Sequence, residues 1–462
     1  MSRPAPDPGT TVGRHVVVVG GGLAGLSAGL ACADAGARVT LVESRGRLGG
    51  ATFSFPRDGL VADNGQHVFL RCCTAYRGFL DRIGSSGRVK MQRRMAIPVA
   101  APGGPVAWIR RSSLPAPLHL GGSLLTYRHL TAPARVRAMG ASLALRRLDP
   151  EDPALDEISF GRWLAGQGQH ADAIRALWDL FALPTLNLHA GDASLALAAM
   201  VFRTGLLTDR GAADVGWSRV PLSELHGDPA GRALERAGGR VLLGTAARRV
   251  RPGVRGWTVD TDGGPVEADA VIVAVPHDRA AELLPPGVSP AQDRWTSLGF
   301  SPIVNVHVLY DRPVLRMPFV AGIGSPVQWA FDRSEGSGVE RGRYVAVSVS
   351  GADAEIAERS AELRDRFVAA LRELLPAARP ARVERCFVTR EPRATIRQSP
   401  GVGRLRPPQR TNRWGLALAG AWTATGWPAT MESAVRSGRS AAGEVLDDLV
   451  RPGAGQLAGV GS

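Results

Sequence analysis

The segment His15–Gly50, HVVVVGGGLAGLSAGLACADAGARVTLVESRGRLGG, constrains the fold more than any other part of the chain. Val16 to Val19 are consecutive β-branched residues, the pattern of a strand buried on both faces of a parallel sheet. Gly20, Gly22 and Gly25 follow at G-x-G-x-x-G spacing. The first glycine permits a tight turn, the second lets backbone approach a pyrophosphate, and the third lets helix pack closely on strand. The helix opening at Leu23 and Ala24 would present its N–H groups and positive dipole end to phosphates. Leu23, Leu26 and Leu30 give it an apolar stripe, and Gly36 ends it. Residues 38–42 form the second strand, which closes on Glu43, where a carboxylate meets a ribose 2′-hydroxyl. That charge would repel a 2′-phosphate, so NADP is disfavoured. The glycine pattern alone is weak in a chain with 56 glycines. Strand, helix, second strand and acid in the right order make it a dinucleotide site.

A chain of 462 residues is too long for one simple core, so two domains are expected. Residues 1–14 are polar and proline-rich and read as a disordered leader, with residues 451–462 as a flexible tail. There is no apolar run long enough to cross a membrane. Cys32, Cys72, Cys73 and Cys386 show no metal spacing, which argues for free thiols in a reducing cytoplasm and against an iron–sulfur cluster. The net charge of +14 is almost all arginine, Lys90 being the one lysine. The arginines read as spread along the chain and not held in one block. Nucleic acid is therefore not expected as a partner, while attraction to an anionic membrane surface stays open.

Further along, a hairpin is expected around residues 56–59. Residues 86–224 alternate Gly/Pro turns with helical patterns at 124–130, 133–148, 159–166, 171–181 and 194–205, with a break at 183–187. From 225 the parallel-sheet pattern returns. It predicts a helix at 229–237, a strand at 239–244 continued by 246–250, a hairpin at 257–268 and a buried strand at 270–276. Residues 295–400 predict alternating strands at 303–310, 327–331, 344–349 and 383–388, backed by an amphipathic helix at 361–375. A last strand at 413–420 runs into a helix with Pro428 in its first turn. No second G-x-G-x-x-G follows a strand, so the chain offers no nicotinamide domain of its own.

Three stretches carry a family resemblance. Arg47-Leu48-Gly49-Gly50 is similar to the R-x-G-G turn of FAD-dependent amine oxidases and phytoene desaturases, which closes over the flavin pyrophosphate and ribityl chain. Asp63-Asn64-Gly65-Gln66-His67 fits the D-x-G-x-H of that superfamily, and in full resembles the hydroxysqualene dehydroxylases, also called squalene-associated FAD-dependent desaturases. Leu418 to Gly438, L-A-G-x-W-T-x-T-G-x-P-A-T-M-E-x-A-V-x-S-G, resembles the C-terminal signature of the same dehydroxylases. Two positions depart from it. Ala421 stands where many relatives carry an acid, and Ala51-Thr52 where arginine is frequent.

The resemblance spans about residues 15–440 and implies an α/β, two-dinucleotide-binding-domain FAD fold, Rossmann-like and discontinuous (15–85, 225–290, 405–450). An α+β substrate domain of antiparallel sheet plus helices would occupy 86–224 and 291–404. FAD would be held by Gly20, Gly22, Leu23, Ala24, Gly25, Glu43, Arg47, Gly49, Gly50, Gly65, Val250, Gly420, Trp427, Thr430 and Met431. The implied reaction is reductive dehydroxylation of hydroxysqualene to squalene, in squalene and hopanoid biosynthesis. The alternatives are a carotenoid-type desaturase, a flavin amine oxidase, and a flavin-bearing isoprenoid binder without catalysis. His67 and Glu432 are the candidate proton donors, against a structural hydrogen bond for His67 and a helix first-turn role for Glu432. Gln66, Asn187, Trp329 and Trp422 are candidates for the substrate side. The partners implied are an apolar isoprenoid, an external electron donor and, through arginine-rich helices at 124–148, an anionic membrane at the inner face of the plasma membrane.

Overall fold

The computed structural model describes residues 10–254 and 256–451, so residues 1–9 of the leader and 452–462 of the tail lie outside the described residues. The end of the leader packs onto the body. The Thr11 hydroxyl donates to the Ala35 carbonyl, and the Arg14 carbonyl accepts from the Arg38 N–H at 2.8 Å.

The buried valine strand His15–Val19 is the centre of a five-stranded sheet, as its two-sided apolarity demands. The order is Arg240–Leu242, Arg38–Val42, His15–Val19, Ala270–Val273, Leu416–Leu418, with every neighbour parallel. The chain leaves the central strand to one side and comes back on the other, which opens a crevice at the carboxyl ends of the strands. The helices Leu23–Asp34 and Met431–Val450 each follow a strand of this sheet, so both start at that crevice. They pack closely, and a Cβ on Gly438 would collide with the Ala24 carbonyl.

A three-stranded antiparallel meander, Ala247–Gly253, Gly256–Thr261 and Gly264–Ala268, packs beside this sheet. The segment 246–250 was expected to continue the strand before it. Gly244 instead turns the chain at φ +63° and starts a separate sheet.

The third body is a seven-stranded sheet in the order Val383–Thr395, Ser301–Tyr310, Tyr344–Ser350, Trp329–Asp332, Phe319–Gly322, Ala96–Ala100, Ala107–Arg110. Val304, Val306 and Val308 pack with Leu363, Phe367 and Leu371 of the helix Ser360–Leu374. By the strand period of two, Asn305 and His307 face the opposite side. Helices built from residues 121–207 cover the far end of that side, with Phe319, Ala321 and Phe331 in their core.

Several expectations change here. Residues 86–224 are mainly helical, but they also supply strands. They contribute Val89–Met91 and Val215–Ser218 to a small sheet, and Ala96–Ala100 and Ala107–Arg110 to the large one. The helix expected at 124–130 lies at Gly121–Leu125, and a turn leads to Ala132–Arg147, capped by Thr131. The expected break at 183–187 is a helix end: helical structure from Ala171 runs to Leu186 and stops on Asn187 at φ +52°. Pro428 precedes the last helix and does not open it; Thr430 is the N-cap.

Candidate active site

The crevice between His15–Val19 and Ala270–Val273 is lined by the glycine turn. Gly20 lies against Ala274, and a Cβ on Gly25 would overlap the Gly20 carbonyl, which ties the helix start to the strand end. The helix Leu23–Asp34 has no side-chain cap. Its first backbone N–H groups, from Leu23 to Gly25, therefore have no intrahelical partner and are available to a phosphate.

Glu43 is buried at the end of the second strand. Its Oε2 accepts the Gly21 N–H at 2.7 Å and its Oε1 accepts the Arg45 N–H at 2.8 Å. Backbone donors thus hold the carboxylate beside the glycine turn, with lone pairs left for a ribose diol. Gly49 and Gly50 close over the same turn: Gly49 N–H donates to the Gly21 carbonyl at 2.9 Å and Gly22 bridges Gly49. The Arg47 guanidinium lies 3.5 Å from the Phe53 ring centroid and donates to the Gly50 carbonyl at 3.1 Å. Val250 is fully buried in its ladder, packed in the same core as Val42.

The segment after the hairpin divides in two. Asp63 and Asn64 are structural. Asp63 accepts from Ser54 Oγ, the Leu222 N–H and the Arg333 guanidinium at 2.5–3.0 Å. Asn64 accepts the Phe53 N–H and donates to the Ala51 carbonyl and Glu391. Gly65, Gln66 and His67 are the part left free. The His67 ring makes no hydrogen bond among the described residues, and its pKa is pushed down to about 4, first by burial, with Asp63 opposing. Gln66 Nε2 and Asn305 Oδ1 are buried without a hydrogen-bond partner. Asn305 Nδ2 donates to the Asn64 carbonyl at 3.1 Å, which places this amide beside the free segment. Two orphaned polar atoms here fit a polar cofactor edge.

On the far side of the crevice, Thr430 caps the last helix and leaves the Met431 and Glu432 N–H groups without intrahelical partners. Gly420 N–H is held by Ser437 Oγ at 2.8 Å, and Trp427 lies under the Arg436 guanidinium at 4.6 Å. Ala421 supplies no carboxylate. The buried Arg406 instead fixes this loop through the Ala421 and Thr423 carbonyls, and burial lowers its pKa to about 10. Glycine cradle, ribose acid, two open helix starts and orphaned polar atoms converge at one sheet end. Together they fit an FAD.

Three expected roles are corrected. Glu432 is 1% exposed and fully engaged. It accepts the Ala75 and Tyr76 N–H groups at 3.1 and 2.7 Å and the Arg436 Nε at 2.7 Å. It therefore caps the helix Thr74–Arg82, with both carboxylate oxygens committed to structural partners. Asn187 donates to the Ser301 carbonyl and Thr395 and accepts the Gly351 N–H at 2.7 Å, so it has nothing left for substrate. Trp422 donates to the Val275 carbonyl at 2.9 Å and packs edge-on against Trp295, which ties it into the nucleotide-side core.

Trp329 has no such structural commitment through its ring nitrogen among the hydrogen bonds of the described residues. It is half-buried and stacks on Phe331 with centroids 6.1 Å apart. Val68 and Leu70, which follow His67, pack with Trp217 and Trp329 against the helical core as an apolar wall, while the His67 ring itself lies beside Gly65, next to the Asn305 amide. Asn305 and Trp217 were not among the expected site residues. The polar breaks in the valine alternation at 303–310 were the legible signal for Asn305; Trp217 carried none.

Comparison with known proteins agrees with this geometry. Residues 23–446 match the family described as flavin containing amine oxidoreductase. A hydroxysqualene dehydroxylase from Rhodopseudomonas palustris is 30% identical, over 94% of this chain and 98% of that protein. A 15-cis-phytoene desaturase from Narcissus pseudonarcissus is 26% identical, over 97% of this chain and 81% of that protein. Cyclohexylamine oxidase from Brevibacterium oxydans shares the fold at a TM-score of 0.73 and 18% identity, over 95% of this chain and all of that one (100%).

Proposed function

The chain belongs to the flavin containing amine oxidoreductase family, and from that premise we propose that it reductively removes the hydroxyl of hydroxysqualene to give squalene. It is an FAD-dependent oxidoreductase. The observation that carries the choice of reaction is the pair of partnerless amide atoms of Gln66 and Asn305 close to His67, followed in the chain by the apolar Val68 and Leu70, in a chain 30% identical to a hydroxysqualene dehydroxylase along almost its whole length.

When bound and reduced, FAD would supply the hydride that replaces the hydroxyl on carbon, the hydroxyl taking up one proton to leave as water. Gly20, Gly22, Leu23, Ala24, Gly25, Gly49 and Gly50 seat the pyrophosphate, Glu43 the ribose, and Arg47 the closing turn. Gly65, Val250, Gly420, Trp427, Thr430 and Met431 complete the cradle. Val68, Leu70, Trp217 and Trp329 exclude water from the hydrocarbon. Gln66 and His67 meet the hydroxyl. With its pKa at about 4, His67 is neutral at physiological pH. It orients and polarises the leaving oxygen through an N–H hydrogen bond and is not a standing charged acid. The electron donor is external.

Anaerobic incubation of the reduced holoenzyme with hydroxysqualene, followed by mass spectrometry, tests this: squalene is the expected product. Desaturation of phytoene or squalene with an added oxidant, and no squalene from hydroxysqualene, would assign the chain to the desaturases it also resembles.

A further inference from the structure

Residues 82–148 contain no aspartate or glutamate, yet they hold eleven arginines and Lys90. With twelve cations and no acid, this segment accounts for +12 of the net +14, and the rest of the chain is close to neutral. The charge is therefore held in one block, against the expectation from the arginine positions alone. The same stretch carries Val106, Leu114, Leu118, Leu125, Val136 and Leu143, six of the twelve large apolar side chains that are exposed among the described residues.

The fold brings these features to one surface. The short helix Gly121–Leu125 packs on both the strand Ala107–Arg110 and the helix Ala132–Arg147. On the longer helix Ala138, Ala141 and Leu145 face inward, while Val136, Gly140 and Leu143 face outward with Arg137, Arg146 and Arg147 around them. These three arginines, with Arg110 and Arg128, are exposed and have no carboxylate partner among the described residues. Arg135 is used differently: it donates to the Leu125, Tyr127 and Leu130 carbonyls and fixes the link between the two helices.

We propose that this face docks on a bilayer containing anionic lipid, Leu114, Leu118, Leu125, Val136 and Leu143 entering the acyl boundary and the arginines meeting the headgroups. Exposed leucine and unpaired arginine together favour a lipid surface, which rewards both; a nucleic acid would reward only the charge. No helix among the described residues is long and apolar enough to cross a membrane, so the contact is peripheral. Leu120 and Leu124, from the same surface, are half-buried against the core that also holds Trp217 and Trp329. The docking face and the apolar wall are one continuous hydrophobic body. The proposal rests on the isoprenoid reading for its purpose, since such a substrate dissolves in the bilayer.

The test is sedimentation of the holoenzyme with phosphatidylcholine vesicles, with and without phosphatidylglycerol. The wild type is expected to bind only vesicles with phosphatidylglycerol and to be released by salt. R137Q/R146Q/R147Q is expected to bind at least about tenfold more weakly, and L114S/L118S to weaken the binding that persists in salt. R364Q/R372Q, on the far helix, should bind as wild type. All variants should keep FAD, the wild-type melting temperature and full turnover of detergent-dispersed hydroxysqualene. Unchanged vesicle binding by both test variants would overturn the proposal. So would duplex DNA binding that survives L114S/L118S in a protein that ignores vesicles. Normal docking with no turnover in detergent would instead count against the dehydroxylase reading alone.

Discussion

The carboxylate of Glu432 accepts the backbone N–H of Tyr76 at 2.7 Å, across 356 residues of sequence. The first turn of the last helix therefore caps the helix that follows the His67 segment. The last helix starts at the cofactor crevice, and this bond sets its position against the helix Thr74–Arg82. Glu432→Ala leaves two buried N–H groups and a guanidinium without an acceptor, and should destabilise the protein by about 3–5 kcal/mol. Glu432→Gln, which keeps an acceptor, should lose less. Chemical denaturation measures both. Flavin-loaded Glu432→Gln turning over within about threefold of wild type would agree with a structural role; a hundredfold loss at full stability would return Glu432 to the chemistry.

Glu43 holds the Gly21 N–H and is proposed to meet the FAD ribose. Glu43→Gln should weaken FAD binding by roughly tenfold to a hundredfold, as charge-assisted hydrogen bonds become neutral ones. Fluorescence titration of the apoprotein with FAD gives the number directly. Because the site is read as selective against a 2′-phosphate, the same titration with NADP should show no binding in the wild type.

His67 should matter for turnover and not for flavin. His67→Ala is expected to lower kcat by about a hundredfold or more, with the visible flavin spectrum unchanged. Its pKa of about 4 predicts that wild-type kcat carries no inflection near the ordinary histidine value. A fall in rate centred there, lost in His67→Ala, would show that the charged form is used.

His226 and His307 are fully buried, and burial pushes the pKa of each down to about 3. His226 meets the Tyr76 hydroxyl at 2.6 Å, and His307 lies between the Tyr344 and Thr389 hydroxyls at 2.7 and 3.1 Å. In the unfolded chain each protonates near 6.5. The unfolded state therefore binds more protons over that window, so stability is complete above about pH 6.5 and falls as the pH drops toward 3. Each histidine contributes a slope of roughly 1.4 kcal/mol per pH unit. Melting temperatures measured from pH 7.5 to 4 should fall steadily below pH 6.5, and less steeply in His226→Gln.

Much of the nucleotide half was legible because its signals are local. Four valines, three glycines and an acid each need only their neighbours to act, and His15–Gly50 folds as its pattern says. The residues that misled act over distance. Glu432 reads as a first-turn acid, but its partners Ala75 and Tyr76 lie in another part of the chain. Asn187 reads as a loop polar group, but Ser301, Gly351 and Thr395 converge on it only once the large sheet has formed. Ala96–Ala100 and Ala107–Arg110 were missed as strands because Pro98 and short length hide the alternation, and a neighbour at Phe319–Gly322 completes them. The block of charge at 82–148 was hidden in another way: arginine is spread through the chain, and it is the absence of acids that marks the segment.

Reductive dehydroxylation by this chain ties product to flavin one for one, which single-turnover stoichiometry measures. The holoenzyme is reduced, freed of reductant and mixed anaerobically with hydroxysqualene, while flavin absorbance and product are followed together. One squalene is expected for each FAD reoxidised, with His67→Ala slowing both equally. Flavin that stays reduced while hydroxysqualene is recovered intact would contradict it.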